Sequence, residues 1–502
     1  MKIKTICLVF FILSCFFIHG CGSSDGGADI TPKIAWLASG DQGAQSATFH
    51  VPMDSSHDDG TQISLALRRY PASGAKKGSI VLIPGGPGFS AVDYLDYFAL
   101  TTLGISLREN FDLVAFDPRG VGHSTKVYCV DNPLPYVAID RSPENALEYQ
   151  ILIGIVQDYT TRCAENSGDL LGHVSTMDVV RDMELIRQAM GEGKLNYIGL
   201  SYGTKIGALY ADTYPLNVRA MVLDGVYSPS LTLLDFTLEQ TAGYEKSLQA
   251  FLTSCAQNST CRFGGGNPEQ ALTALMANLK HHPIPAGIER MLTYGKAQYG
   301  VMLGTYAQDY WPWLENALAA AAAGDGSQLL ALTDAYFGRA NDGSYPNAAD
   351  ALYAVTCTDS SPPSAAEVEA QIETVTRDYP FFGAMLMNDI LYCTYWPAAP
   401  GMEPKTVRAT GAPQIMVVGT TGDPATPYAW SQRLASELDS SFLVTFVAER
   451  HVAGGTNRCV DDRYEQYLLN PEKGFSDLTC TEDASVSKKS SFRLALPKII
   501  RR

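Results

Sequence analysis

Six short apolar runs constrain the fold of this chain more than anything else in it: "SIVLI" (79 to 83), "FDLVAF" (111 to 116), "LNYIGL" (195 to 200), "AMVL" (220 to 223), "QIMVVG" (414 to 419) and "SFLVTFV" (441 to 447). They are brief, rich in β-branched residues and separated by stretches with helical periodicity. That is the pattern of a mostly parallel central sheet with helices on both faces. Each run stops just before a Gly, Pro or Asp cluster, and ligands of such sheets gather outside the carboxyl ends of the strands. Upstream, "TFHVP" and "QISLALRRY" read as an antiparallel lead into the sheet. Between about 230 and 405 the strand pattern lapses and helical segments such as "LEQTAGYEKSLQAFLTSCA", "WLENALAAAAAGD" and "AAEVEAQIETVTRDY" take over. This is expected to be one mainly helical insertion, flanked by strand ends and so placed over the site as a cap. The fold class is therefore α/β, with core segments at 41–229 and 406–484 around a cap at 230–405.

The first twenty residues, "MKIKTICLVFFILSCFFIHG", combine two lysines with an apolar stretch that is short for a transmembrane helix. An export signal is expected over 1–20, a flexible tether over 21–40 and a basic tail over 485–502. The signal resembles that of a bacterial lipoprotein, in which Cys21 is acylated and becomes the mature N-terminus. His19 stands where such signals usually carry a small residue, and ordinary cleavage nearby is the alternative. Cys129, Cys163, Cys255, Cys261, Cys357, Cys393, Cys459 and Cys480 form an even set that suits an oxidising compartment, with pairing expected between neighbours in sequence. No Cys or His pair stands at metal-ligand spacing, and no cofactor is expected. The net charge of -16 argues against a nucleic-acid partner, because phosphate binding needs a clustered cationic surface.

Chemistry enters at "NYIGLSYGTKIG", where a strand runs into Gly199-Leu200-Ser201-Tyr202-Gly203 and then into a small-residue helix. This G-x-S-x-G spacing fits a sharp strand-to-helix turn that holds Ser201 in strained dihedrals as a nucleophile. A serine that merely caps the helix is the plainer alternative. A hydroxyl needs a base, and the base needs a group to orient it. His451 in "ERHVAGG" follows the last strong strand; His50, His57, His123, His173, His281 and His282 lack so favourable a position. Asp423 in "TTGDPATP" ends the strand before it, which gives the order Ser, Asp, His. Asp224 in "LDG" is a rival acid, and Thr426 and Pro427 read as the N-cap and first residue of the next helix. Donors to a developing oxyanion are expected from the backbone N–H of Tyr202 and, in the loop Pro84-Gly85-Gly86-Pro87-Gly88, from Gly86, since Pro87 has no N–H.

Together the strings "VLIPGGPGFS", "FDLVAFDPRGVGHS", "LNYIGLSYGTKIGALYADTYP" with "VRAMVLDGV", and "GTTGDPATPYAWSQRLASEL" with "LVTFVAERHVAGG" resemble the secreted tripeptidyl aminopeptidase branch of the α/β-hydrolase fold, related to prolyl aminopeptidases. The likeness runs from about 45 to 482. It implies a serine hydrolase with Ser201, His451 and Asp423 as nucleophile, base and orienting acid. Prolyl aminopeptidases begin the oxyanion loop with His, where this chain has Pro84, which departs from strict prolyl specificity. "DPRGVGHS" reads chemically as a structural loop, with Arg119 tying neighbouring segments. The leading expectation is an exported aminopeptidase that releases short peptides from free N-termini, its substrate ammonium met by a cap carboxylate such as Glu239, Glu245 or Asp309. A carboxylesterase using the same triad and an inactive surface-anchored binding protein are the alternatives. The partners expected are a peptide or small ester, and a membrane only through an acylated Cys21.

Overall fold

The computed structural model describes residues 33–482 apart from 41, 42, 55, 56 and 58, so Cys21, the signal, most of the tether and all of the basic tail lie outside the described residues. Ten strands form one sheet: β1 (Leu37–Ala38), β2 (Gln45–Pro52), β3 (Gln62–Tyr70), β4 (Gly78–Ile83), β5 (Phe111–Phe116), β6 (Leu195–Leu200), β7 (Val218–Asp224), then, beyond the hairpin strands β8 (Ile284–Pro285) and β9 (Met291–Leu292), β10 (Ile415–Thr420), β11 (Ser441–Val447) and β12 (Leu478–Thr481). Their spatial order is β1-β2-β3-β5-β4-β6-β7-β10-β11-β12. The pairs from β5 to β12 are parallel, and β1 to β3 join antiparallel at one edge.

Burial explains why these segments were readable as strands. Every residue of β4, β5, β6 and β10 is buried, so both faces are covered and the sequence must be apolar without alternation. Towards the edges β3 and β11 alternate buried with partly exposed residues, and their sequences alternate to match. β1 and β12, two and four residues long, carry too little pattern to be found from sequence alone.

Between β7 and β10 the chain is almost entirely helical, from Leu233–Gln257 to Leu391–Thr394, with the short β8–β9 hairpin inside it. A segment that precedes the elbow in sequence joins this layer. Helix Ala146–Ser167 carries Tyr159, which stacks edge-on against Tyr353 and Tyr392 and donates to Asp350 at 2.6 Å. Nothing in its periodicity distinguishes a helix that covers the sheet from one that covers another helix. Among the described residues there are four disulfides, Cys129–Cys163, Cys255–Cys261, Cys357–Cys393 and Cys459–Cys480, each joining neighbours in sequence.

Candidate active site

Ser201 stands between β6 and helix Tyr202–Thr213 with φ 53° and ψ −121°, a conformation that costs a non-glycine residue on the order of 1–3 kcal/mol. Two close approaches explain the glycines around it. A Cβ on Gly199 would lie 2.5 Å from the carbonyl oxygen of Gly203, and one on Gly203 would lie 2.2 Å from that of Ile83. Neither position has room for a side chain. The turn is fastened from outside as well: Ser201 donates its N–H to the Asp224 carbonyl at 2.9 Å, and Gly203 donates to the Pro84 carbonyl at 3.2 Å. Helix capping by the Ser201 side chain, the plainer alternative, does not occur.

His451 and Asp423, each just past a strand end, meet directly. His451 Nδ1 lies 2.9 Å from both carboxylate oxygens of Asp423. The His451 side chain is 10% exposed and that of Asp423 is fully buried. Asp423 also accepts the N–H groups of Ala425 and Thr426 at 3.0 and 2.8 Å and the Thr426 hydroxyl at 2.9 Å. Those donors fix the carboxylate so that it faces the imidazole. Thr426 Oγ1 also reaches His451 Nδ1 at 3.2 Å. Thr426 is therefore not the N-cap expected of it: the helix opens one residue later, at Tyr428, after an extended Pro427, and the hydroxyl is engaged by Asp423 and His451 instead. Sequence pattern could not separate these roles, because an N-cap and a carboxylate partner use the same residue type.

Asp224, the rival acid, faces the other way. Its carboxylate accepts the N–H groups of Ala453 and Gly454 at 3.0 and 2.7 Å and the Tyr464 hydroxyl at 2.6 Å, while burial raises its pKa. It holds the loop after His451, in which Val452 has φ 55°, a strained value for a β-branched residue. The same residue thus anchors Ser201 through its carbonyl and the histidine loop through its carboxylate. Gly225, directly after it, lies so close to the ring that an added Cβ would come within 3.3 Å of His451 Cε1. No hydrogen bond joins Ser201 Oγ to His451; such contacts are commonly loose before substrate binds.

The glycine loop after β4 lies against the serine. A Cβ on Gly85 would stand 2.7 Å from Ser201 Cβ, and Gly86 has φ 119°. Tyr202 opens its helix, so its N–H belongs to the helix-terminal donors that have no intrahelical acceptor. Behind it, the Tyr202 hydroxyl pairs with Thr176 at 2.7 Å, and Thr176 and Lys205 both bind buried Asp359, Lys205 at 2.8 Å. Arg119 ties segments together, donating to Asp182 at 2.7 and 2.8 Å and to the carbonyls of Pro52, Met53 and His173.

From the helical layer, Tyr306 accepts the His451 N–H at 2.7 Å and sets its ring edge-on to the imidazole at 5.6 Å. Beside the site is a cavity of about 130 Å³ whose lining includes Gly86, Pro87, Tyr306, Tyr353 and Asp389. A larger cavity, about 860 Å³, lies among the helices and is lined by no residue of the elbow, the glycine loop or the Asp423 and His451 loops. The three acids singled out from sequence are all engaged elsewhere. Glu239 binds Trp430 and Arg433, Glu245 accepts the N–H groups of Phe381 and Phe382, and Asp309 lies 3.5 Å from Arg450. The carboxylate at the smaller cavity is Asp389, which sequence reasoning missed: an acid near a helix C-terminus carries no local signature.

Residues 78–457 match the family described as alpha/beta hydrolase fold. The chain is 34% identical over 452 residues to serine protease Hip1 of Mycobacterium tuberculosis, with 85% of each covered. It is 33% identical over 484 residues to carboxylesterase B of the same organism, with 92% of each covered. To a tripeptidyl aminopeptidase of Streptomyces coelicolor it is 29% identical over 455 residues, covering 87% of this chain and 82% of the relative.

Proposed function

The chain belongs to the α/β-hydrolase fold family as a serine hydrolase, and from that premise we propose that it is an exported peptidase that releases short peptides, tripeptides in the first place, from free N-termini. The observation that carries the chemistry is the pairing of His451 Nδ1 with both oxygens of a fully buried Asp423, beside a serine held at φ 53°. In this reading His451 removes the Ser201 proton as Oγ attacks the scissile carbonyl, and Asp423 holds the imidazole with Nδ1–H towards itself. The N–H groups of Tyr202 and Gly86 receive the oxyanion. His451 then gives its proton to the departing amine, and a water activated by the same base hydrolyses the acyl-enzyme.

The likeness to a tripeptidyl aminopeptidase and to a serine protease supports amide cleavage, whereas the likeness to a carboxylesterase keeps ester cleavage as the second reading. Four disulfides suit an oxidising compartment, and acylation at Cys21 would anchor the protein to a membrane of the cell envelope. Incubation with tripeptidyl amides, their N-blocked equivalents and short acyl esters decides between the readings. Release of intact tripeptide is expected, and hydrolysis confined to the esters ends the peptidase reading.

A further inference from the structure

We propose that Asp389 receives the N-terminal ammonium of the substrate and thereby makes the enzyme an exopeptidase. This rests on the peptidase reading above. Three observations lead to it. First, Asp389 is the one carboxylate in the lining of the cavity that Gly86 and Pro87 border on one side, and Tyr306, the residue packed on His451, borders too. Second, the cavity, about 130 Å³, is smaller than ordinary ligand pockets, so it suits the end of a peptide rather than a chain passing through. Third, Asp389 is aimed and only half used. Tyr353 donates to its Oδ1 at 2.6 Å and Arg141 lies 3.1 Å from the same oxygen, leaving Oδ2 for a ligand on a side chain that is 26% exposed.

Arg141 makes the arrangement rigid. It is fully buried, donates to the Tyr299 hydroxyl at 2.9 Å and lies over the rings of Tyr299 and Tyr392. Beside the Asp389 carboxylate, the tyrosines packed around the buried Arg141 guanidinium offer an ammonium ring faces as well. A carboxylate present only to neutralise Arg141 would predict the same contacts but no preference among substrates. The two roles are separated by measuring one ratio.

The ratio is kcat/KM on a tripeptidyl p-nitroanilide divided by kcat/KM on its des-amino analogue, determined for the wild-type chain and for Asp389→Asn. Because Asp389→Asn leaves the Arg141 charge buried without its partner, the double variant Asp389→Asn with Arg141→Gln is measured beside it. The wild type should favour the free amine, and both variants should lose that preference by about 10-fold to 100-fold, mostly through KM, as expected for a lost charge-assisted contact. Asp389→Glu should retain most of it. A purely structural role would lower both substrates together and leave the ratio unmoved. An unchanged ratio in either folded variant, or no preference in the wild type, overturns the assignment of Asp389. A wild-type enzyme that cleaves neither peptide but turns over esters overturns the peptidase reading itself, and this inference with it.

Discussion

At the residue scale the proposed site rests on three side chains whose environments differ sharply. Replacing Asp423 by Asn should leave the loop in place but present the wrong hydrogen-bond partner to His451 Nδ1, lowering kcat by about 10⁴-fold; steady-state kinetics on a cleaved amide measures this. Thr426→Val should remove the hydroxyl that bridges Asp423 and His451 and cost on the order of 10-fold to 100-fold in kcat, with KM nearly constant. Ser201→Gly should abolish turnover yet raise stability by about 1 kcal/mol, because glycine relieves the positive φ. A denaturation curve showing no gain would mean that the elbow is not strained in solution. The strand-end positions of Ser201, Asp423 and His451 were legible in the sequence, because each closely follows an apolar run with a clear strand pattern. Asp389 was not, because its neighbours in the cavity come from segments as distant as Pro87 and Tyr353.

At the element scale the loop after β11 shows how backbone is held where no regular structure exists. Asp224 takes the N–H groups of Ala453 and Gly454, and Asp461 takes that of Gly455 at 2.6 Å. Burial, with the Asp224 charge adding to it, pushes the Asp461 carboxyl up to about 7 against an ordinary value of 3.8 for an aspartate. The folded state therefore binds a proton that the unfolded chain gives up between about pH 4 and 7. Stability from this group is fully present below about pH 4 and is lost as pH rises through about 7. Asp461→Asn, which mimics the protonated acid, should thus gain on the wild type by on the order of 2–4 kcal/mol between pH 4 and pH 8 in chemical denaturation. A difference that stays flat with pH would show that the carboxyl titrates normally. Strands such as β4 and β6 were readable because burial on both faces dictates an unbroken apolar run. The start of helix Tyr428–Glu437 was misread by a residue because Thr426 serves its neighbours Asp423 and His451 rather than the helix.

At the scale of the whole molecule, the helical layer and the sheet are joined at the places where chemistry is proposed. Tyr306 bonds to the backbone of His451, and the Lys205–Asp359 pair ties the elbow helix to the end of helix Ala348–Thr358. The disulfide Cys357–Cys393 closes a separation of 36 residues within that layer. Replacing both cysteines by alanine should lower stability by about 4 kcal/mol in urea unfolding, and loss of peptide turnover should precede global unfolding if the layer shapes the site. Periodicity marked the stretch after β7 as helical, but it could not show that helix Ala146–Ser167 joins the same layer, since that depends on tertiary contacts such as Tyr159 with Tyr353 and Tyr392. The central claim is that Ser201 is the nucleophile of this assembly, and its most direct test is labelling of the folded protein with a fluorophosphonate, followed by peptide mapping. One adduct on the peptide containing Ser201, absent from a folded Ser201→Ala variant, is the expected result; no adduct in folded wild-type protein, or an adduct elsewhere, would contradict it.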